Sequence, residues 1–234
     1  MGQFLHTFFS PFDFLRSAPA IWNGFQLNLE LMVVAEAFIL VLALLIAIVR
    51  GLPGRAAAPL RAAAIVYTDI FRGTPLLLVI FMVEGFATLN YFGLSSQSLF
   101  RNGVIALVLV YTAYVTEVYR AGIESVHPSQ RMAARSLGLS YMQALRYVVL
   151  PQAIRRVVPP LLNDFIGLQK DTVLITTIGL VEALGQANQW SSDYVNFTGL
   201  TVTAVFFIFL TIPLARFTDH IIRQRERRER AQAV

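Results

Sequence analysis

FQLNLELMVVAEAFILVLALLIAIVRGLPGR, residues Phe25–Arg55, is a membrane span followed by its stop. From Phe25 to Val49 the run is long enough for an α-helix to cross the hydrocarbon of a bilayer, which takes roughly 20 residues. It ends at Arg50-Gly51-Leu52-Pro53-Gly54-Arg55, a charged turn suited to water. Comparable runs recur along the chain. Hydrophobic residues make up 56% of the 234 and charged residues only 14%, with a mean hydropathy of +0.61. One soluble core could bury much apolar surface, but not several such runs. The composition and pattern predict an all-α membrane protein with about five transmembrane helices.

A second segment begins near Arg61 and extends to about Tyr91, longer than a straight span needs, with Gly73 and Pro75 expected to bend or interrupt it. The third runs from about Gly103 to Arg120, and a polar stretch covers about 121–146. The fourth, from about Tyr147 to Ile178, is expected to be interrupted by Pro151, Pro159 and Pro160. The fifth runs from about Phe197 to Ile222 with Pro213 inside it, so the membrane domain covers 25–222. Ahead of it, Phe4, Leu5, Phe8, Phe9, Phe12 and Phe14 read as a segment, 1–24, lying in the bilayer interface. That segment has no basic start and no small-residue cleavage site, so it does not read as a signal peptide.

Arginines decide the orientation. Arg50, Arg55 and Arg61 share one loop, Arg120, Arg131, Arg135 and Arg146 lie in or beside the polar stretch, and Arg223, Arg225, Arg227, Arg228 and Arg230 follow the last span. With five spans these regions fall on one side, which the positive-inside rule makes cytoplasmic. The N-terminus is then outside and the C-terminus inside. The net charge of +5 reflects these loops and a basic cytoplasmic tail, 223–234, rather than a nucleic-acid partner; the partner it implies is the lipid bilayer.

Several chemistries drop out. Without cysteine there are no disulfides, thiolate metal sites or cysteine nucleophiles. His6, His127 and His220 have no metal-ligand spacing, and no metal site is expected. The sole lysine, Lys170, stands between Gln169 and Asp171 rather than in a Gly-Lys-Ser/Thr phosphate loop. The chain is therefore read as a non-enzyme with no cofactor of its own, driven by another polypeptide or by an ion gradient. An intramembrane enzyme would need an acid/base or metal constellation, and none can be named.

Between the third and fourth spans lies GIESVHPSQRMAARSLGLSYMQALRYVVLPQAIRRVVPPLLNDF, Gly122–Phe165. A short helix is expected from about Ser129, exposing Met132, Ala133, Ala134 and Leu137 and stopping at Gly138. Ser140 with Gln143 forms a capping-box pattern that starts the next helix. The apolar face of the short helix either needs a partner protein to cover it or packs on the chain's own spans.

This stretch resembles the cytoplasmic loop of bacterial ABC importer permeases, whose pattern is Glu-Ala-Ala, a glycine a few residues later, and Leu-Pro further on; Ala133, Ala134, Gly138, Leu150 and Pro151 match. The wider chain resembles the polar amino acid branch, of histidine/glutamine/arginine type. Tyr67 with Phe71-Arg72-Gly73-Thr74-Pro75-Leu76-Leu77 matches, as do Ala113-Tyr114 with Glu117, Arg120 and Gly122-Ile123, Leu150-Pro151-Gln152-Ala153, and Asn163 through Lys170-Asp171-Thr172. There are departures: Met132 replaces the motif glutamate, Ser129 a usual glycine, and Val173-Leu174 stand where Ser-Leu is common. The resemblance implies a type I importer permease whose short coupling helix, with Ser129, Gln130, Met132, Ala133, Ala134, Leu137 and Gly138, docks on an ATPase. It also implies the partners: an ABC ATPase dimer holding ATP and Mg, a second permease subunit (a second copy or a sister chain) and an extracytoplasmic amino-acid-binding protein. The membrane would be the bacterial cytoplasmic (inner) membrane.

Charges within spans are costly, roughly 2.5–3.5 kcal/mol each on insertion scales, and so face protein or a water-filled path. Glu36 and Glu84 are candidates to meet a substrate ammonium in a pathway or to bond a polar group of a neighbouring subunit. Glu117 and Arg120, three apart on one helix, can pair, and Glu117 is also a candidate for the substrate pathway. Arg72-Gly73-Thr74-Pro75 is either a broken-helix element lining the pathway or a packing kink. Asn163, Asp164, Lys170 and Asp171 are expected to make polar contacts between helices or subunits.

Overall fold

The computed structural model describes residues 2–232, with side chains over 6–224, so Phe4, Leu5 and the tail arginines from Arg225 onward lie outside the described side chains. Among the described residues every regular element is helical. Ser10 accepts a hydrogen bond from the Asp13 amide at 3.3 Å and Pro11 takes the first helical position, which together start α2, Pro11–Arg50. This helix continues through residue 24, so 1–24 is not one element: Gly2–Phe9 forms α1, and 11–24 are the first turns of α2. Nothing after Pro11 stops a helix; even Pro19 sits within it.

α1 is tied back to the far end of the chain. The Phe197 amide donates to the Thr7 carbonyl at 2.9 Å, the Thr201 hydroxyl to the Phe8 carbonyl at 2.7 Å, and the Phe8 ring stacks on Phe197 at 5.3 Å. These contacts meet the turn between α9, Ala183–Tyr194, and α10, Thr198–Gln232. In that turn exposed Val195 holds φ 48°, a left-handed conformation that a β-branched residue adopts only under strain. Val195→Asn is expected to relieve about 1 kcal/mol, seen as a melting midpoint raised by roughly 2–4 °C. An unchanged or lower midpoint would show that the turn carries no such strain.

The second expected span is broken. α3, Ala58–Gly73, and α4, Leu76–Thr88, meet at 108° across Thr74-Pro75. Proline lacks the amide a continuous helix needs and restricts the residue before it. α5, Leu99–Glu124, is one uninterrupted element of 26 residues. In the fourth segment Ser140 and Gln143 form the expected reciprocal cap on α7, Tyr141–Ala144. A π turn over Leu145–Val149 then leads into α8, Leu150–Asp171. The wide turn sits where the Pro151 ring would clash with the preceding carbonyls. Pro159 and Pro160 do not interrupt α8, and the helix ends at Asp171, followed by a 3-10 stretch, Thr172–Ile178.

By length and hydropathy three described stretches can cross a bilayer, His6–Arg50, Leu99–Glu124 and Thr198–Gln224, and the bent pair α3–α4 would be a fourth. Five were expected. The difference is α8, which at 22 residues is long enough but carries Arg155, Arg156, Asp164, Lys170 and Asp171. Three of these, Arg156, Asp164 and Asp171, line a polar groove instead of facing lipid.

α2 and α5 form the centre. Leu31, Ala35, Ile39 and Ala43 recur at intervals of four on α2 and are fully buried, against Ala106, Leu107, Val110 and Val115 of α5 and Val79, Ile80 and Val83 of α4. Lipid is as apolar as leucine, so close packing of small side chains, not the hydrophobic effect, holds such helices together. The alanines bring the backbones near enough for the Thr116 hydroxyl to reach the Ala43 carbonyl at 3.4 Å. On the opposite face of α2, Val33, Phe38, Val41 and Leu45 are exposed, as lipid-facing residues should be.

Candidate functional site

The α3–α4 break opens one side of a polar groove. A cavity of about 790 Å³ is lined by Arg72, Tyr114, Glu117, Arg156 and Asp164, among others. A second, of about 460 Å³, shares Arg72, Tyr114 and Asp164 and adds Gly73, Thr74, Asn163 and Asp171. Shared lining sets the two side by side along α3–α4, α5 and α8. The break is fastened rather than loose: Thr74 donates to the Ile70 carbonyl at 2.8 Å and Tyr114 to the Arg72 carbonyl at 3.4 Å. Across the groove Tyr111 donates to the Asp171 carboxylate at 2.8 Å. Asp164 keeps one carboxylate oxygen buried with no hydrogen-bond partner among the described residues. A buried anion without a partner is costly, which suits this wall of the groove to a cationic group.

One end of the groove is closed by charges. Glu117 pairs with Arg50 at the end of α2, with Arg120 one turn along α5 at 2.7 Å, and stands 3.9 Å from Arg72. Arg50 also donates to the Thr68 hydroxyl at 3.0 Å, and Arg120 continues to Glu124. The Glu117 and Arg50 side chains are only 15% and 14% exposed, so their charges depend on one another rather than on water. Three helices, α2, α3 and α5, are stitched at this level.

Beyond that end hangs α6, Pro128–Ser136. His127 caps it through Nδ1, Pro128 takes the first helical position, and Arg135 sits in its last turn. Gly138, at φ 87°, stops it in the left-handed conformation that glycine adopts without strain, while the Leu139 amide returns to the Ala134 carbonyl at 3.2 Å. Met132 is 62% exposed and Leu137 84%, with Ser129, Gln130 and Ala133 exposed beside them. Ala134 was expected on that outer face. It is instead 4% exposed, because α6 rests this side on the turn ahead of α8.

Of the pathway candidates, Arg72, Thr74 and Glu117 line the groove. Glu36 does not line it; half-buried on α2, it lies near enough to Asp164 to feel its charge. Glu84 is elsewhere, accepting a hydrogen bond from the Asn102 amide at 3.0 Å and so joining α4 to α5. Tyr111, Arg50 and Arg156 were not singled out from the sequence for this site. Lone arginines and tyrosines in or beside spans carry no local signal of what they face.

Comparison with known proteins now places this geometry. Residues 39–228 match the family described as binding-protein-dependent transport system inner membrane component. The chain is 34% identical over 210 residues to a probable glutamine ABC transporter permease protein of Bacillus subtilis (strain 168), covering 88% of this chain and 93% of that one. It is 32% identical over 213 residues to the glutamine transport system permease protein of Escherichia coli (strain K12), covering 90% and 93%. A crystal structure of an amino acid ABC transporter with histidines superposes with a TM-score of 0.82 at 31% identity, covering 91% of this chain and 97% of that one. With the match spanning most of its length, a broken helix pair and an all-helical membrane fold, this chain belongs to the inner membrane components of binding-protein-dependent transport systems, the ABC importer permeases.

Proposed function

We propose that this chain is the permease subunit of an ATP-driven importer for polar amino acids, converting ATP hydrolysis in a separate ATPase into alternating access of the groove. The observation that carries the reading is α6: a capped helix presenting Met132 and Leu137 beyond the membrane-crossing helices, with no cover among the described residues. An apolar face held away from lipid calls for a protein partner. The glutamine and amino acid transport of the relatives supports the substrate class.

In this reading α6 is cytoplasmic, the N-terminus outside and the C-terminus inside. An ATPase dimer with ATP and Mg docks on two permease subunits, either two copies or a sister pair, and an external binding protein delivers the amino acid. ATPase closure pushes α6, and the push reaches α5 through Ser125–Val126, directly beside the Glu117 cluster. The orphaned Asp164 oxygen and the Tyr111–Asp171 pair face the passing solute, Asp164 toward its ammonium. Glu36 acts on that site only through Asp164.

The test is co-purification of the reconstituted transporter with its ATPase, together with ATP-dependent uptake. Ala133→Asp with Leu137→Asp is expected to weaken ATPase retention about thirtyfold, the loss of one interface anchor, and to uncouple hydrolysis from uptake. A fully bound, fully coupled ATPase in that double variant would remove the docking role.

A further inference from the structure

A second groove lies on the opposite, lipid-exposed side, between α2 and α5. It is a cavity of about 380 Å³ walled by Val34 and Phe38 of α2 and Val104, Ile105, Val108 and Leu109 of α5, with Arg101 as its one charged lining residue. Along α5 the walls follow two stripes four residues apart. From Arg101 to Leu109 they rise about 12 Å at 1.5 Å per residue, the shape of a slot for an extended chain.

Charge sets the depth of this slot. The exposed Glu30 stands one turn before Val34 on the same stripe of α2. The two helices run in the same direction, since Val34 and Phe38 wall one cavity with Arg101 and Val104 while the later Ala43 meets the later Thr116. Counting back equally along both helices from the Ala43–Thr116 contact puts Glu30 near Gly103, within a turn of Arg101. Exposed charges of opposite sign on a lipid-facing surface sit at headgroup level, because the hydrocarbon would charge heavily for either. From Leu31 to Val49 the only ionisable group on α2 is the half-buried Glu36, and Arg50 marks the other border. Those 19 residues rise about 28 Å, close to the hydrocarbon thickness. Neither Glu30 nor Arg101 takes part in an ion pair among the described residues.

We propose that this groove is a binding site for a phospholipid with a primary ammonium headgroup: its acyl chain lies along Val34, Phe38, Val104 and Val108, its phosphate meets Arg101 and its ammonium meets Glu30. Zwitterionic complementarity singles out this headgroup. A purely anionic lipid would face Glu30, and a quaternary ammonium offers that carboxylate no N–H donor. The site is at the end of α5 away from α6 and is separate from the polar groove.

The test takes the intact transporter reconstituted in vesicles of equal parts phosphatidylethanolamine, phosphatidylcholine and phosphatidylglycerol, extracts it in mild detergent, and reads retained lipid by native mass spectrometry. Wild type is expected to keep phosphatidylethanolamine above the other two. Arg101→Gln should lower that retention about fivefold, the worth of one surface cation on a phosphate. Glu30→Gln should level phosphatidylethanolamine with phosphatidylcholine, and Val34→Trp, filling the slot from its exposed side, should abolish retention while ATP-driven uptake confirms an assembled complex. Equal retention of all three lipids by wild type, or unchanged retention in Arg101→Gln, Glu30→Gln or Val34→Trp, overturns the site. A protein chain cross-linking into the slot overturns it as well.

Discussion

Glu117→Ala is expected to lower the stability of the protein by about 3 kcal/mol and to abolish uptake. Among the described residues the carboxylate is the one anion touching Arg50, so its removal leaves a guanidinium that is only 14% exposed with the Thr68 hydroxyl as its remaining described partner. Breaking such a pair costs more than the pair contributes, because the surviving charge stays out of water. In thermal unfolding of the purified protein this reads as a midpoint lowered by roughly 5–10 °C. Arg120→Ala is the comparison: that side chain is 37% exposed and can be hydrated when its partners change, so its loss is expected to cost about 1 kcal/mol at most. If the two variants melt together, the network is an ordinary surface pair and does not hold three helices in register. Pairing Glu117→Ala with Arg50→Ala should recover part of the loss, since the stranded charge goes too, and a strictly additive cycle would deny that the two residues interact.

Gly24→Ala is expected to destabilise by about 2–3 kcal/mol, although alanine is the better helix former. A Cβ at Gly24 would stand 2.6 Å from the Glu182 carbonyl carbon and 2.7 Å from the Ala183 nitrogen, both backbone and unable to swing aside. The start of α9 would have to withdraw from α2. Asn28 would then lose the Ala183 amide it accepts at 3.1 Å and strain its own 3.1 Å bond to Thr172. Leaving such buried groups unpaired costs roughly 1–3 kcal/mol. Gly85→Ala in α4 supplies the contrast, because nothing lies within 4 Å of the added carbon. There only helix propensity acts, and a gain of up to about 1 kcal/mol is expected. Melting both variants beside wild type checks the sign: Gly24→Ala at or above wild type would mean α2 and α9 are not held at this spacing.

What could be read in the residues themselves was whatever has a local cause. The Phe25–Val49 run, the bend at Gly73–Pro75, the short helix ending at Gly138 and the Ser140–Gln143 cap each depend on hydropathy, a missing amide or a side chain reaching three residues along. Such signals survive in a bare string of letters, and so the membrane fold and the short helix between the third and fourth spans could be read from them. The resemblance across Phe71–Leu77 and the loop did the rest for the family.

The tertiary structure alone decided the partners. Glu117 reads as an Arg120 pair because three residues separate them on one helix, yet its buried partner, Arg50, is 67 residues away. Ala134 turns inward and α8 turns Arg156, Asp164 and Asp171 to a groove because other helices occupy the remaining sides, while Glu84 accepts a hydrogen bond from Asn102 on the next helix. Periodicity says that a helix has two faces. Which of them meets lipid, groove or protein is set by how several helices share space, a many-body packing choice that no single segment encodes.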